Sequence, residues 1–185
     1  NYNFLLNNLR DIERTGDIRS YKKDLVDLYV NRDQHSFSTQ VTDLDNIQNP
    51  SIHSLLSSKY HEAQMYRLNI HAEIPDPVTH NYLTDLDLAV VLGHLMDNAI
   101  DGARKASEGF ISLAYFDEED CQSFIIESTI AEEQVPLSMM STQLSHPEGG
   151  IGVNAVQDIL ERYPNTSFSV RSQNHKMMQI LEMRP

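Results

Sequence analysis

Apolar residues recur at helical spacing between Thr84 and Arg104, in the stretch TDLDLAVVLGHLMDNAIDGAR. Thr84 can cap the first turn of a helix, and Asp87 follows three residues later, where the acid of a capping box is expected. No proline interrupts the stretch, so we predict one continuous helix. Its apolar face consists of Leu88, Val91, Leu92, Leu95, Ala99 and Ala103.

A second face of this helix carries His94, Asn98 and Asp101, spaced by four and then three residues. That spacing places the three side chains in one line along the helix, which we call the polar stripe. One interpretation is a half-buried helix whose few polar groups are satisfied within the fold. The other is a binding site, in which the carboxamide of Asn98 is an oxygen ligand for Mg2+.

The sequence pattern predicts five strands, one before this helix at 68–74 and four after it at 110–116, 123–128, 166–172 and 176–183. The last four strands make two hairpins, across the turn sequences DEEDCQ and QNH, and Cys121 falls in the first turn. Together with the helices, the pattern indicates an α+β fold: a two-layer α/β sandwich with helices on one face of a mixed sheet.

The first part of the chain is different, because residues 1–66 show mainly helical periodicity. We predict a helical hairpin there, followed by a second domain at 67–185. Two helices with one polar side cannot enclose a core alone, so the hairpin is predicted to form a four-helix bundle with a second copy of the chain. The alternative is that its apolar face, which includes Leu55 and Leu56, packs on the rest of the same chain.

A cluster of glycines, Gly149, Gly150 and Gly152, directly precedes a predicted helix in the stretch PEGGIGVNAVQDILER. A glycine turn at a helix N-terminus exposes backbone N–H groups and a positive dipole end, which suit an anion such as phosphate. By itself such a turn is also an ordinary connector. The phosphate-binding interpretation is favoured because the turn follows the helix that carries Asn98.

Charge and composition narrow the function classes. The formal net charge of −13 disfavours nucleic acid and anionic membrane surfaces as partners, but it leaves ATP open, since ATP needs only local donors and a metal ion. The single cysteine cannot form an internal disulfide. No run of residues approaches the roughly 18 apolar positions of a membrane-spanning helix.

Two motifs carry a resemblance to a known family. LGHLMDNAIDGA resembles the N box of the histidine-kinase and GHKL ATPase superfamily, and PEGGIGVNAVQDILERYPN resembles its G2 box and the helix after it. The chain is most similar to the sensor histidine kinases that read peptide pheromones in quorum sensing by Gram-positive bacteria. The resemblance implies the GHKL sandwich fold, a homodimer formed through residues 1–66, and a phosphorylated histidine immediately before Asn1.

The same resemblance implies an ATP- and Mg2+-dependent protein-histidine kinase of a two-component system. Such a protein transfers the γ-phosphoryl group of ATP to a histidine and then to a response-regulator receiver domain. The chain would be the cytoplasmic part of a bacterial membrane protein, attached through an N-terminal sensor region. One alternative is a weakly nucleotide-binding dimeric scaffold for a response regulator, and another is a GHKL ATPase such as an anti-sigma-factor kinase.

Site residues follow from the resemblance position by position. Asn98 would hold Mg2+, with His94 beside it as a second candidate catalytic residue. The remaining candidates for nucleotide binding are Asp101, Ser128, Ser141, Thr142, Gly149, Gly150 and Gly152, with Glu127 at the border of the base pocket. His94, Ser128 and Gln143 depart from the residues usual in the class, and these departures favour the scaffold alternative.

Overall fold

Five strands form one mixed sheet in the computed structural model, which describes residues 43–134 and 152–185. The strand order is β1-β2-β3-β5-β4; β1 is parallel to β2 and every other neighbouring pair is antiparallel. The strands are β1 (Asn69–Glu73), β2 (Phe110–Glu118), β3 (Cys121–Thr129), β4 (Thr166–Gln173) and β5 (Lys176–Met183). The helices are a 3-10 helix (Asp43–Asn46), α1 (Pro50–Met65), α2 (Asp85–Lys105) and α3 (Gly152–Leu160). This arrangement confirms the predicted α/β sandwich.

The main core lies between the sheet and the helices. The apolar face of α2 is buried as predicted, and Met96 and Ile100 are buried with it. They share one hydrophobic cluster with alternate residues of the strands, such as Ile111, Leu113 and Tyr115. Because successive strand residues point to opposite faces, this alternation places α2 on one face of the sheet. The sandwich therefore follows from one amphipathic helix covering one apolar sheet face.

Helix α1 is capped at both ends by local geometry. The side chain of Asn49 accepts hydrogen bonds from Ser51 N and Ile52 N, and Pro50 stands at the first helical position, where its missing N–H costs nothing. At the other end, Arg67 adopts a positive φ of 60°, with Arg67 N bonded to Gln64 O and Leu68 N to Ala63 O. These two bonds form a Schellman motif, which ends the helix and directs the chain into β1.

The apolar face of α1 is buried within the chain itself. Ile52, Leu56, Tyr60 and Ala63 belong to the same hydrophobic cluster as α2 and the sheet, and Leu56 is 0% exposed. A bundle between two copies therefore does not account for the burial of this face, and the alternative of packing on the same chain holds for α1. The described residues belong to a compact unit that spans Val41–Pro185. The remainder of the predicted hairpin lies outside the described residues, so the domain boundary at 66 stays a prediction.

Both hairpins form; β2, β3 and β4 extend further than predicted, and β5 has the predicted bounds. Cys121 is not in a turn: it is the first residue of β3, it is buried, and it pairs with Glu118 of β2. The turn between β4 and β5 consists of Asn174 and His175, which both have positive φ. Such a two-residue turn matches the twist of the strands that it joins. No helix among the described residues is long and apolar enough to cross a membrane.

Candidate functional site

The polar stripe lies along α2, and all three of its side chains are half-buried. Helix α2 begins where the sequence predicts, because Thr84 caps it by accepting a hydrogen bond from Asp87 N at 3.3 Å. Within the described part of the chain, the side chains of His94 and Asn98 make no hydrogen bond to another residue. Asp101 lies 3.7 Å from Arg104 of the same helix. Among the described residues, the Asn98 carboxamide therefore takes no part in the hydrogen bonds that hold the fold together.

A close approach between α2 and the end of β3 brings Ser128 next to the stripe. A Cβ atom placed on Gly102 would lie 3.0 Å from Ile130 Cγ2, 3.4 Å from Thr129 O and 3.9 Å from Ser128 Oγ. Ser128 is fully buried, and its hydroxyl has no hydrogen-bond partner among the described atoms. A buried hydroxyl without a partner is costly, which is expected where a ligand completes the hydrogen bonding.

Glu127 does not share this position with Ser128. The two residues are neighbours in β3, so their side chains point to opposite faces of the sheet. Glu127 is buried, and one of its carboxylate oxygens accepts a hydrogen bond from Lys176 Nζ at 2.9 Å. Of the two residues expected at the border of the base pocket, only Ser128 therefore faces α2.

The predicted helix after the glycine cluster is present as α3, and Gly152 is its first residue. Val156 and Ile159 are buried in the same hydrophobic cluster as the apolar face of α2, so the two helices pack together. The structure thus brings the N-terminal end of α3 and the polar stripe of α2 into one layer. Ser141, Thr142, Gln143, Gly149 and Gly150 lie outside the described residues.

Two side chains hold α2 in place near the stripe. Gln179 of β5 is buried, and its Nε2 donates to the backbone oxygen of Leu95 at 3.1 Å. Lys59 of α1 lies 2.5 Å from Asp97 Oδ1 and 2.8 Å from Glu62 Oε2. Burial alone would lower the pKa of Lys59, but its bonds to Asp97 and Glu62 raise the pKa above its ordinary value. These contacts were not predicted, because strand and helix periodicity does not identify buried polar partners.

A further cluster ties the first turn of α2 to the chain just beyond α3. The carboxylate of Asp87 accepts hydrogen bonds from the Tyr163 hydroxyl at 2.6 Å and from Arg162 Nη2 at 2.7 Å. The bond from Tyr163 does most to hold the pKa of Asp87 below its ordinary value, with further contributions from Thr84 and Arg162 that together outweigh the opposing effect of burial. The sequence shows that Asp87 stands at the capping-box position and that Arg162 and Tyr163 follow α3. It does not show that these residues are in contact.

The donors of this region suit a metal–nucleotide complex. Within residues 43–134 and 152–185, no three His, Cys, Asp or Glu side chains form a cluster that could hold a metal ion. Mg2+ usually takes only one or two protein oxygens and completes its shell with phosphate and water. The Asn98 carboxamide, which has no hydrogen-bond partner in the described part of the chain, fits this requirement. The Ser128 hydroxyl, also without a described partner, adds a polar group at the end of β3.

Comparison with known proteins places these features in a family. The model of the GHKL domain family matches residues 83–184, which is more than half of the chain. This range includes all of α2, the strands β2 to β5 and α3. A search of curated proteins finds no significant match.

Several solved structures share the fold at low sequence identity. The catalytic domain of the histidine kinase ThkA is 14% identical with a TM-score of 0.58, over 74% of this chain and 90% of that one. The histidine kinase AdeS from Acinetobacter baumannii is 17% identical with a TM-score of 0.55, over 99% and 83%. The histidine kinase domain of a blue-light activated kinase from Erythrobacter litoralis is 12% identical with a TM-score of 0.56, over 80% and 65%.

Proposed function

Since the chain belongs to the GHKL domain family and has the fold of histidine kinase catalytic domains, we propose that it binds Mg-ATP and acts as the kinase part of a two-component sensor. The observation that carries the proposal is the polar stripe of α2. Asn98 is half-buried there with its carboxamide free of described partners, and α3, which begins at Gly152, packs against the same helix.

The residues divide the work of binding. Asn98 would hold Mg2+, which supplies charge neutralisation for the phosphates when it is bound. Backbone N–H groups at the start of α3 would face the phosphates, in line with the anion preference of helix N-termini. The buried hydroxyl of Ser128 would receive a polar group of the base. Asp101 would orient the end of α2 or a bound water.

Phosphoryl transfer to a histidine depends mainly on positioning and on charge neutralisation, and both suit this arrangement. His94 lies one helical turn before Asn98 in the polar stripe, and we propose that it borders the phosphates as a second catalytic candidate. The resemblance of the sequence motifs adds four more residues to the proposed nucleotide site: Ser141, Thr142, Gly149 and Gly150. The acceptor histidine, in this proposal, precedes Asn1.

The wider setting is also part of the proposal. The resemblance of the two boxes supports four further parts of the proposal. The chain would form a homodimer, pass the phosphoryl group to a response-regulator receiver domain, lie in the cytoplasm below a membrane sensor, and belong to the quorum-sensing class. The burial of α1 within its own chain directs the search for dimer contacts to other parts of residues 1–66. We propose Leu5 and Leu9 as candidates there, because they are apolar and lie four residues apart, at helical spacing.

Titration with a non-hydrolysable ATP analogue, followed by calorimetry with Mg2+ and with a chelator, tests the proposal. We expect the unmodified chain to bind the analogue more tightly with Mg2+. Asn98→Ala should weaken binding by at least about tenfold, or ~1.4 kcal/mol, in Mg2+. The same variant should have little effect in the chelator, because the lost contact is to the metal.

Asn69→Ala is the matched control, since it makes the same change at an exposed position of β1. It should leave the affinity unchanged under both conditions. Wild-type affinity in a folded Asn98→Ala protein would refute the assignment of the metal ligand. An unmodified chain that binds no nucleotide would refute the kinase proposal itself.

The scaffold alternative rests on three positions, His94, Ser128 and Gln143, where this chain departs from the residues usual in the class that its two boxes resemble. If the site is degenerate, calorimetry should show no nucleotide binding, while the chain still associates with a receiver domain. That pair of results would favour the scaffold over the kinase.

A further inference from the structure

Helix α2 has an unusual N-terminal cap, because part of it comes from a distant segment. Thr84 is the N-cap, and Asp87 occupies the third helical position, where the acid of a capping box normally turns back to the N-cap N–H. Here the two carboxylate oxygens of Asp87 are bound by Tyr163 and Arg162 instead. The Tyr163 hydroxyl takes its place and accepts the hydrogen bond from Thr84 N at 3.2 Å.

The Tyr163 hydroxyl is therefore used in two directions. It accepts from the N-cap amide of α2 and donates to the carboxylate of Asp87 at 2.6 Å. Arg162 occupies the other carboxylate oxygen at 2.7 Å, so both oxygens of Asp87 are bound by residues that lie 75 and 76 positions away. Asp87 is only 8% exposed, and hydrogen bonds to a largely buried carboxylate are stronger than neutral ones. We call Thr84, Asp87, Arg162 and Tyr163 the tyrosine latch.

The latch acts on α3 because its two donors continue directly from the end of that helix. Arg162 N bonds to Ile159 O and Tyr163 N bonds to Leu160 O, both at 3.0 Å, so backbone hydrogen bonds tie the two donors to the last turn of α3. Helix α3 has nine residues and is roughly 13 Å long. A fixed point at one end of so short a helix limits where the other end, at Gly152, can lie.

We infer that the tyrosine latch is a positioning device for the nucleotide site, with the Tyr163 hydroxyl as its central group. It holds α3 against α2 so that the first amides of α3 and the polar stripe face the same phosphates. The inference rests on the proposed function, but it adds residues that touch neither nucleotide nor metal. Tyr163, Arg162 and Asp87 act through the placement of α3.

Tyr163→Phe tests the inference, since it deletes only the hydroxyl. The matched control is Tyr115→Phe, which deletes the hydroxyl of a buried tyrosine whose donor bond to Gln122 Oε1 lies within the sheet. Each variant is compared with the unmodified chain by urea unfolding, and the affinity for an Mg-ATP analogue is measured by calorimetry under conditions where each protein is folded. Both variants should lose some stability.

Only Tyr163→Phe should lose nucleotide affinity, by about tenfold, which corresponds to ~1.4 kcal/mol. Hydrogen exchange adds a readout that separates local loosening of α3 from a general loss of stability. In Tyr163→Phe the amides of α3 should exchange faster relative to those of α1, whereas in Tyr115→Phe the ratio between the two helices should stay as in the unmodified chain. Loss of affinity together with selective exchange of α3 would support the latch.

The outcomes separate this inference from the proposed function. If the unmodified chain binds the nucleotide and Tyr163→Phe binds it equally well, the latch is refuted and the proposed function stands. If the unmodified chain does not bind nucleotide, both are refuted. Should Tyr163→Phe fail to fold, Arg162→Met removes the other donor to Asp87 from a largely exposed guanidinium. Unchanged affinity in Arg162→Met would then overturn the inference.

Discussion

Two glycines of α2 allow a test of the packing that brings Ser128 to the site, because the same change meets different surroundings at each. Gly93 and Gly102 both lie inside the helix. A Cβ atom on Gly93 would meet only Leu55 Cδ1, at 3.8 Å, which is an ordinary van der Waals contact. Alanine is favoured over glycine in a helix by about 1 kcal/mol, so Gly93→Ala should raise the free energy of unfolding by about that amount.

Gly102 is different, because a Cβ there would lie 3.0 Å from Ile130 Cγ2 and 3.4 Å from the backbone oxygen of Thr129. The backbone of Ile130 is held by the bond from its N–H to His175 O at 2.8 Å, and its side chain is buried, so there is little room for it to move away. Overpacking of this kind costs roughly 1–3 kcal/mol, which cancels or exceeds the helix preference of alanine. Gly102→Ala should therefore be no more stable than the unmodified chain and about 1 kcal/mol or more below Gly93→Ala.

Urea unfolding followed by far-UV circular dichroism measures both variants against the unmodified chain. Gly93→Ala should also raise the thermal midpoint by roughly 2–4 °C for a chain of this size. If Gly102→Ala stabilises the protein as much as Gly93→Ala does, then α2 does not approach the end of β3 as closely as described. The conclusion that Ser128 lies beside the polar stripe would then be refuted.

Three other changes test the fold around the site. Arg67→Gly should raise the unfolding free energy by about 0.5–1 kcal/mol, because glycine adopts the positive φ at this position without the steric cost that arginine bears; a lower thermal midpoint would contradict this. Leu56→Glu should unfold the protein rather than dissociate a dimer, because Leu56 is 0% exposed in the core of its own chain. Leu86→Glu is the control, since Leu86 is 74% exposed, and circular dichroism should show that this variant stays folded. The folded-state pKa of Asp87 lies below its ordinary value of 3.8, so its contribution to stability is present above that value and lost as the pH falls through the folded-state pKa. Asp87→Asn should therefore lower the free energy of unfolding at neutral pH and make it depend less on pH below about pH 5. An unchanged pH dependence would refute the role of the Tyr163 bond.

Features that depend on near neighbours in the chain could be predicted from the sequence. Helix α2, its cap at Thr84 and its buried face followed from residues three and four positions apart, and the spacing of His94, Asn98 and Asp101 placed them in one line. The two hairpins followed in the same way from alternation and from turn residues. Cys121 was misplaced because the acidic residues around it resemble a turn, while the pairing of β2 and β3 continues as far as Glu118 and Cys121.

Contacts between distant segments were decided by the tertiary structure. The apolar face of α1 is the same in sequence whether a second copy or its own chain covers it, and the fold shows that α2 and the sheet cover it. Glu127 and Ser128 are adjacent letters, but the sheet sends them to opposite faces. Only Ser128 reaches α2, because Gly102 lets the helix come close.

Asp87 shows the difference most clearly. The sequence by itself determined that an acid stands at the third position of α2, since a cap is a local matter of backbone N–H groups within one turn. Only the tertiary structure decided that this carboxylate binds Tyr163 and Arg162 instead of the N-cap amide. The physical reason is that a hydrogen bond between residues 76 positions apart depends on how α2 and α3 pack, and that packing is fixed by their common hydrophobic core and not by spacing along the chain.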